Sequence, residues 1–336
     1  MPYSPLFSIP PEVLKLLEEI NVLHTRIQEA AVRLPWVPTA LERDTLTRTA
    51  HGSTAIEGNP LTLKEVQSVM GGTSPSNASR RSVQEIRNSV AVMRYIQKHS
   101  RLLRIREKDV LKIHTLLGQK EALDRGPIGY YRPYAVRVGD HLAPSAADVP
   151  RLMQDLLAWV NQEGPRWPAV ISSAVLHFRF EWIHPFGDGN GRAGRALATW
   201  ELYRRHFDTH HIFSIDEVLW NQRVDYYAAL QQAQKEPGQD LTCWIEFSSR
   251  ALRSAMEHTW QRILRLQAGG KRKPLTLTPR QEQLLSLLRE KHLHIAEIQK
   301  ALGVTKPGAH HILKPLLEAK WVLREGGHRT GVYKAV

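Results

Sequence analysis

The residues best suited to chemistry stand together in residues 182–195, which read WIHPFGDGNGRAGR. His184 offers a base whose charge changes near neutral pH. Asp188 offers a hard oxygen ligand of the kind that a phosphate-bound Mg²⁺ needs. Arg192 and Arg195 are three residues apart, so both can lie on one face of a helix. One short stretch therefore holds a base, a metal ligand and two guanidiniums.

Glycines give this stretch an open backbone. An apolar helical pattern stops at Pro185, and Gly187, Gly189 and Gly191 precede a new helix that is predicted to begin near Arg192. Converging N–H groups and the helix dipole make such a helix start an anion site. Taken singly, each residue more often serves as a turn, a cap or a solvated surface. Their occurrence within twelve residues favours a phosphate-binding site.

The surrounding sequence is helical by its apolar periodicity. Helices are predicted at 13–31, 41–55, 61–70, 82–99, 107–117, 150–161, 169–183, 193–207, 220–234 and 241–266. The exception is 126–144, which is rich in Tyr, Val, Gly and Pro. This segment predicts a short β-hairpin with its turn at Gly139 and Asp140.

A second kind of pattern follows residues 269–274, GGKRKP, which predict a linker. Three short helices and a two-stranded wing are typical of a winged helix-turn-helix. Residues 271–336 carry 13 Lys and Arg against 5 Asp and Glu, a net charge of +8, which favours a polyanionic partner. Lys306, Lys314 and Arg329 are the candidate DNA contacts. Such modules also mediate protein contacts or dimerise, so a protein contact, including a homodimer, is one alternative. A solvated basic surface with no such partner is the other.

Composition limits the classes of protein. No apolar run approaches the ~20 residues of a membrane span, and the start of the chain lacks a secretory pattern. We therefore expect a cytoplasmic protein with no membrane partner. Cys243 is the single cysteine, which excludes an intrachain disulfide and a thiolate metal cluster.

The segment HPFGDGNGRAGR resembles the signature of the Fic/Doc family, H-x-F-x-D/E-G-N-G-R-x-x-R, with every specified position filled. The resemblance covers residues 40–235 approximately. It implies an all-α Fic core with a small β-hairpin flap, followed by the winged helix-turn-helix. The corresponding regions are a helical N-terminal region at 1–104, the Fic catalytic domain and following helices at 105–268, and the winged helix at 275–336.

The resemblance implies a protein adenylyltransferase, which moves AMP from ATP onto a Ser, Thr or Tyr hydroxyl of a protein target or of itself. By that resemblance His184 deprotonates the hydroxyl, Phe186 fixes the loop in the core, and Asp188 holds Mg²⁺. A kinase branch of the family has Lys where this chain has Gly191, which favours nucleotidyl transfer here. The implied ATP-binding residues are Gly187, Gly189, Asn190, Gly191, Arg192 and Arg195.

Residues 53–58, STAIEG, resemble the inhibitory motif S/T-x-x-x-E-G/N found in many Fic proteins. The resemblance implies that Glu57 pairs with Arg195 at the γ-phosphate position and so inhibits transfer. Some related proteins also use this glutamate to remove AMP. The alternative is a helix end, because Thr54 and Glu57 also fit a capping box.

The hairpin resembles the flap that binds the target backbone in Fic proteins, since an edge strand can pair with an extended peptide. Val136, Arg137, Val138 and Gly139 are the candidate flap residues, and an ordinary structural hairpin is the alternative. A different class of function also fits the chain. It could be a DNA-binding transcriptional regulator whose Fic domain senses a nucleotide.

Overall fold

The computed structural model describes residues 2–34, 36–268, 277–327 and 331–335. The predicted linker at 269–274 and the predicted DNA contact Arg329 lie outside the described residues. The chain forms two compact units. The first comprises Met1–Ile27 and Leu41–Trp260, and the second comprises Gln28–Ala40 and Gln261–Val336.

Up to residue 268 the chain is almost entirely helical, interrupted by one two-stranded hairpin. The elements are α1 (Pro11–Arg33), α2 (Trp36–Ile56), α3 (Leu63–Met70), α4 (Arg80–Lys98), α5 (Glu107–Leu117), β1 (Arg137–Val138), β2 (His141–Leu142), α6 (Val149–Gln162), α7 (Ala169–Ile183), α8 (Asn190–Arg204), α9 (Ile215–Asn221), α10 (Arg223–Lys235) and α11 (Thr242–Ala268). The hairpin pairs Arg137 with Leu142 and Val138 with His141 in antiparallel register.

Helix α7 lies at the centre of the first unit. Its apolar residues are spread around the whole helix, and Phe178, Phe180 and Ile183 are buried among α6, α8 and α11. A helix without a polar face is buried all round. The Trp244 indole of α11 donates a hydrogen bond to the Ala174 carbonyl at 2.8 Å. Among the described residues, no helix has both the length and the apolar character that a membrane span requires.

Several helix boundaries differ from the sequence prediction, and two of these differences concern residues near Arg195. Helix α8 begins at Asn190 instead of near Arg192, because Gly189 takes the left-handed conformation (φ 78°) directly before it. Helix α9 was not predicted separately from the helix at 220–234. It is only seven residues long and buries Val218 and Leu219, which is too short a pattern for helical periodicity to reveal.

From residue 277 onward the second unit has three helices and a small sheet, whose first strand lies between the first two of these helices. The elements are α12 (Pro279–Glu290), β3 (Leu293–His294), α13 (Ile295–Leu302), α14 (Lys306–Glu318), β4 (Val322–Glu325) and β5 (Val332–Ala335). The sheet is antiparallel with the order β3-β5-β4, so it has one strand more than the predicted two-stranded wing. Thr278 and Gln281 form a capping box at the start of α12.

Candidate functional site

The loop between α7 and α8 carries most of the candidate residues. His184 ends α7 in the left-handed conformation, with φ 49° and ψ 61°. Phe186 is fully buried, and its ring stacks on the His114 imidazole with the centroids 3.8 Å apart. The same imidazole is 3.1 Å from the Asp188 carbonyl oxygen through its Nε2. Phe186 and His114 therefore attach the loop to α5.

The Asn190 side chain also stabilises the loop. Its Oδ1 accepts a hydrogen bond from the Phe186 backbone N–H at 2.8 Å, and its Nδ2 donates to the Phe186 carbonyl at 2.9 Å. Because the Asn190 side chain is buried and paired with Phe186, it is not available to an anion. The Asn190 backbone N–H, at the start of α8, is the group of this residue that suits one. The loop is thus pre-shaped by its own hydrogen bonds, as an anion site at a helix start requires.

The Asp188 carboxylate lies at the mouth of the loop. Its Oδ2 accepts a hydrogen bond from the Asp124 backbone N–H at 2.8 Å, and its Oδ1 accepts one from Gly189 N–H at 2.5 Å. Arg192 Nη2 approaches Oδ1 at 3.3 Å. The described residues include no group of three potential metal-binding side chains. A single carboxylate fits a Mg²⁺ ion that takes its other ligands from phosphates and water.

Arg195 is buried and lies between two carboxylates. Its Nη2 is 2.9 Å from Glu57 Oε1, and its Nε is 3.2 Å from Asp216 Oδ1. The Ser53 carbonyl accepts a hydrogen bond from Nη2 at 2.7 Å, and the Ser53 hydroxyl accepts one from Nε at 3.1 Å. The structure therefore brings Glu57 and Arg195 together across 138 positions of sequence.

Glu57 also lies directly over the start of α8. A Cβ atom added at Gly191 would collide with Glu57 Oε1. The carboxylate thus rests against the Gly191 Cα, where a larger side chain would displace it. Helix α2 ends at Ile56, and Thr54 donates its hydroxyl back to the Ala50 carbonyl at 2.8 Å. The capping-box alternative for Thr54 and Glu57 therefore does not describe this helix, since these residues follow it or lie in its last turn.

Burial determines the protonation state of the His184 imidazole. Burial lowers the pKa of the His184 imidazole to about 4, because the charged form loses solvation. Its Nδ1 is buried and makes no hydrogen bond to the described residues. The ring is therefore neutral at physiological pH, the form in which an imidazole can accept a proton.

Arg132 joins His184 to the hairpin. Its guanidinium donates hydrogen bonds to the carbonyls of His184 at 2.8 Å, Tyr134 at 2.6 Å and Pro144 at 2.6 Å. Its backbone N–H donates to the Pro185 carbonyl at 2.9 Å. Arg132 is only 1% exposed. It links the His184 backbone to both ends of the hairpin segment. An arginine that follows two tyrosines carries no signal of this role in the sequence.

The hairpin itself presents an exposed strand beside the loop. Val138 and Leu142 are exposed, and Arg137 and Gly139 also face solvent. The His141 Nε2 lies 2.9 Å from the carbonyl oxygen of Trp182, two residues before His184. The hairpin is therefore held near His184 at one strand, while its candidate flap residues remain accessible. Val136, which precedes β1, accepts a backbone hydrogen bond from Ala143.

A buried carboxyl group adjoins the α8 arginines. Glu181 Oε1 is buried without a hydrogen bond to the described residues, and it would collide with a Cβ atom at Gly194. Burial raises the pKa of Glu181 to about 8, against the opposing charge of Arg195. The group is therefore neutral near pH 7 and adds no further negative charge beside Arg195. Glu181 and Asp216 were not predicted from the sequence, whereas Ser53 fills the first position of the motif at 53–58.

The candidate DNA contacts belong to the second unit. Lys306 begins α14 and Lys314 lies two turns further on, and both side chains are exposed. His310 and His311 are exposed on the same helix. The face between them is basic, apart from an ion pair of 4.0 Å between Lys314 and Glu318.

An imidazole and two guanidiniums thus lie around the glycine-rich start of a buried helix on a helical fold, an arrangement suited to an anion. Residues 104–202 match the family model described as "Fic/DOC family". The chain therefore contains a domain of the Fic/DOC family, as the sequence motif predicted.

Known relatives share this domain. A protein named protein adenylyltransferase Fic from Drosophila grimshawi is 34% identical over 156 residues, which are 45% of this chain and 32% of that protein. The counterpart from Drosophila melanogaster is 33% identical over 156 residues, with 31% of that protein covered. The chain thus matches about a third of the length of these curated relatives.

Solved structures extend the similarity to the whole chain. A Fic family protein from Desulfovibrio desulfuricans G20 has a TM-score of 0.68 and 29% identity, covering 99% of this chain and 98% of its own. Fic-1 from C. elegans has a TM-score of 0.60 at 21% identity, covering 76% of this chain and 72% of its own, and shows a shared fold alone.

Proposed function

We propose that this chain is a protein adenylyltransferase that transfers AMP from ATP to a Ser, Thr or Tyr hydroxyl of a protein. The observation that carries the proposal is one loop on which the neutral imidazole of His184 precedes the glycine-rich start of α8, with Arg195 facing that start. The named activity of the Drosophila relatives agrees with it.

In this proposal His184 is the general base. The imidazole takes the proton of the target hydroxyl, whose oxygen attacks the α-phosphorus of ATP. The bond from the α-phosphorus to the pyrophosphate oxygen breaks, and pyrophosphate leaves. A base of lowered pKa is neutral and ready at physiological pH, and general-base catalysis contributes roughly 10²–10⁴-fold.

The start of α8 and its arginines hold the phosphates. Backbone N–H groups of residues 189–191 face the α- and β-phosphates, Arg192 the β-phosphate and Arg195 the γ-phosphate. Asp188 would hold Mg²⁺, which supplies positive charge to the phosphate oxygens. These groups are fixed before ATP binds, so they need no reorganisation during the reaction.

The exposed hairpin is proposed to bind the target. Residues 136–139 offer backbone groups to an extended peptide segment, which pairing along a strand edge would bring toward His184. Because backbone pairing is largely independent of side chains, it suits a target loop of varied sequence. The chain itself can also be a target through self-modification.

Glu57 is proposed to inhibit this reaction. Its carboxylate occupies Arg195 Nη2 and rests on Gly191, which is the space that a γ-phosphate would need. ATP would then bind in an unproductive pose. The same carboxylate could orient water for removal of AMP, and the loss of that reverse activity in a Glu57→Gly variant would reveal it.

The test of the reaction uses ATP labelled on either the α- or the γ-phosphate. The Glu57→Gly variant should incorporate the α-label into itself or into proteins of a lysate, and it should not incorporate the γ-label. His184→Ala in that variant should reduce incorporation by about 10²–10⁴-fold and leave ATP binding largely intact. Incorporation of the γ-label would instead identify a kinase, and near-normal transfer by the His184→Ala variant would remove the base assigned here.

A second activity is proposed for the three helices and the sheet of the second unit. The order of three helices with the sheet β3-β5-β4 fits a winged helix-turn-helix, in which α14 would enter the major groove of DNA. The exposed Lys306 and Lys314 and the net charge of +8 over residues 271–336 favour binding to a polyanion.

A further inference from the structure

Arg195 has two distinct edges, and each faces a different carboxylate. Its Nε is 3.2 Å from Asp216 Oδ1, and its Nη2 is 2.9 Å from Glu57 Oε1. Ser53 contacts both edges, with its hydroxyl at Nε and its carbonyl at Nη2. The orientation of the guanidinium is therefore set by three residues rather than by Glu57 alone.

The two carboxylates differ in their access to solvent. The side chains of Arg195 and Asp216 are 2% and 4% exposed, whereas that of Glu57 is 31% exposed. A phosphate that binds the Nη2 edge would take the place of Glu57, the more exposed of the two carboxylates. A buried guanidinium needs a compensating negative charge, and Asp216 supplies one whether Glu57 is in place or not.

Asp216 is held in position by close contact between α2 and the segment that leads into α9. A Cβ atom at Gly52 would collide with the Asp216 backbone carbonyl, so the two backbones touch there. The Thr49 hydroxyl donates to the Ser214 hydroxyl at 3.1 Å, two residues before Asp216. These two contacts leave the Asp216 carboxylate little freedom to move away from Arg195.

We propose that Asp216 is a positioning residue that fixes the Nε edge of Arg195 and so aims its other edge at the terminal phosphate of a nucleoside triphosphate. The proposal rests on the function proposed above, in which Arg195 binds the γ-phosphate. In this arrangement Glu57 and the γ-phosphate exchange at one edge, while the pair of Asp216 and Arg195 stays intact. Asp216 thereby enables the site to distinguish a triphosphate from a diphosphate.

The test measures binding of ATP and ADP by calorimetry in a chain that carries Glu57→Gly and His184→Ala, so that the edge is open and no transfer occurs. The quantity of interest is the ratio of the two affinities. Addition of Arg195→Ala should abolish the preference for ATP. Addition of Asp216→Asn should lower the ratio by about tenfold, roughly the effect of losing one close contact between charged groups, with ADP affinity little changed.

Glu217→Gln is the matched control, because it also removes a carboxylate that contacts α2 but does not touch Arg195. It should leave the ratio unchanged. If Asp216→Asn does not fold, as judged by thermal melting, Asp216→Glu replaces it. That variant keeps the charge but shifts the carboxylate, so it should also lower the ratio.

The outcomes separate this proposal from the proposed function. A ratio that falls with Arg195→Ala but not with the folded Asp216 variant overturns the positioning role alone. A ratio that survives Arg195→Ala overturns the assignment of Arg195 to the γ-phosphate, and the Asp216 proposal falls with it. An equal fall in Asp216→Asn and Glu217→Gln would show a general loosening of α9, which also contradicts a specific role.

Discussion

Replacing Glu57 by glycine should raise adenylylation well above that of the unmodified chain. The carboxylate competes with the γ-phosphate for the Nη2 edge of Arg195, where it now lies at 2.9 Å. It also rests on Gly191, so its removal frees space as well as charge. Both changes favour the productive pose of ATP.

The magnitude follows from the kind of contact. A hydrogen bond between charged groups contributes about 1.5–3 kcal/mol, and each 1.4 kcal/mol is a factor of ten. Because the Glu57 side chain is about a third exposed, solvent screens part of that energy. We therefore expect a gain of about 10- to 100-fold in the rate of AMP incorporation.

The assay compares initial rates of incorporation from α-labelled ATP in the unmodified chain, Glu57→Gly and Glu57→Gln. The glutamine keeps the bulk over Gly191 and loses the charge, so its rate should lie between the other two. Adding Arg195→Ala to Glu57→Gly should cancel the gain, since the γ-phosphate then loses its partner. Equal rates in the unmodified chain and Glu57→Gly would refute the inhibitory role of this contact.

Three further predictions concern the base, the hairpin and the C-terminal unit. Burial lowers the pKa of His184 to about 4, so its neutral form persists on acidification. The rate of the Glu57→Gly variant should therefore stay level from about pH 7 to about pH 5 and fall nearer pH 4. A midpoint near pH 6.5 in the pH–rate profile would contradict this. In Arg132→Lys the shorter ammonium cannot reach the His184, Tyr134 and Pro144 carbonyls together. The kcat should therefore fall about tenfold or more, with little change in the KM for ATP. An unchanged kcat would argue against the positioning role of Arg132. The full chain should bind duplex DNA more weakly as salt rises, and Lys306→Ala with Lys314→Ala should flatten the salt dependence measured by fluorescence anisotropy; no affinity at low salt would favour a protein-contact role.

The sequence by itself determined the chemistry of the loop between α7 and α8. His184, Asp188 and the α8 arginines are close in sequence, and a glycine-rich helix start has the same physical consequences in any fold. The hairpin at 137–142 was equally local, because its turn residues and flanking valines define it. The family model over residues 104–202 agrees with this motif.

Only the tertiary structure decided what surrounds Arg195 and His184. Asp216 lies on a seven-residue helix that no periodicity reveals, and Arg132 is 52 positions from His184. Contacts between such distant positions depend on how whole helices pack, since a carboxylate or guanidinium has the same local signature when it is solvated as when it pairs in a core. Gly52 and Gly191 are required for the same reason, because each is in contact with a group that only folding brings close. Gly52 contacts the Asp216 backbone, and Gly191 contacts the Glu57 carboxylate.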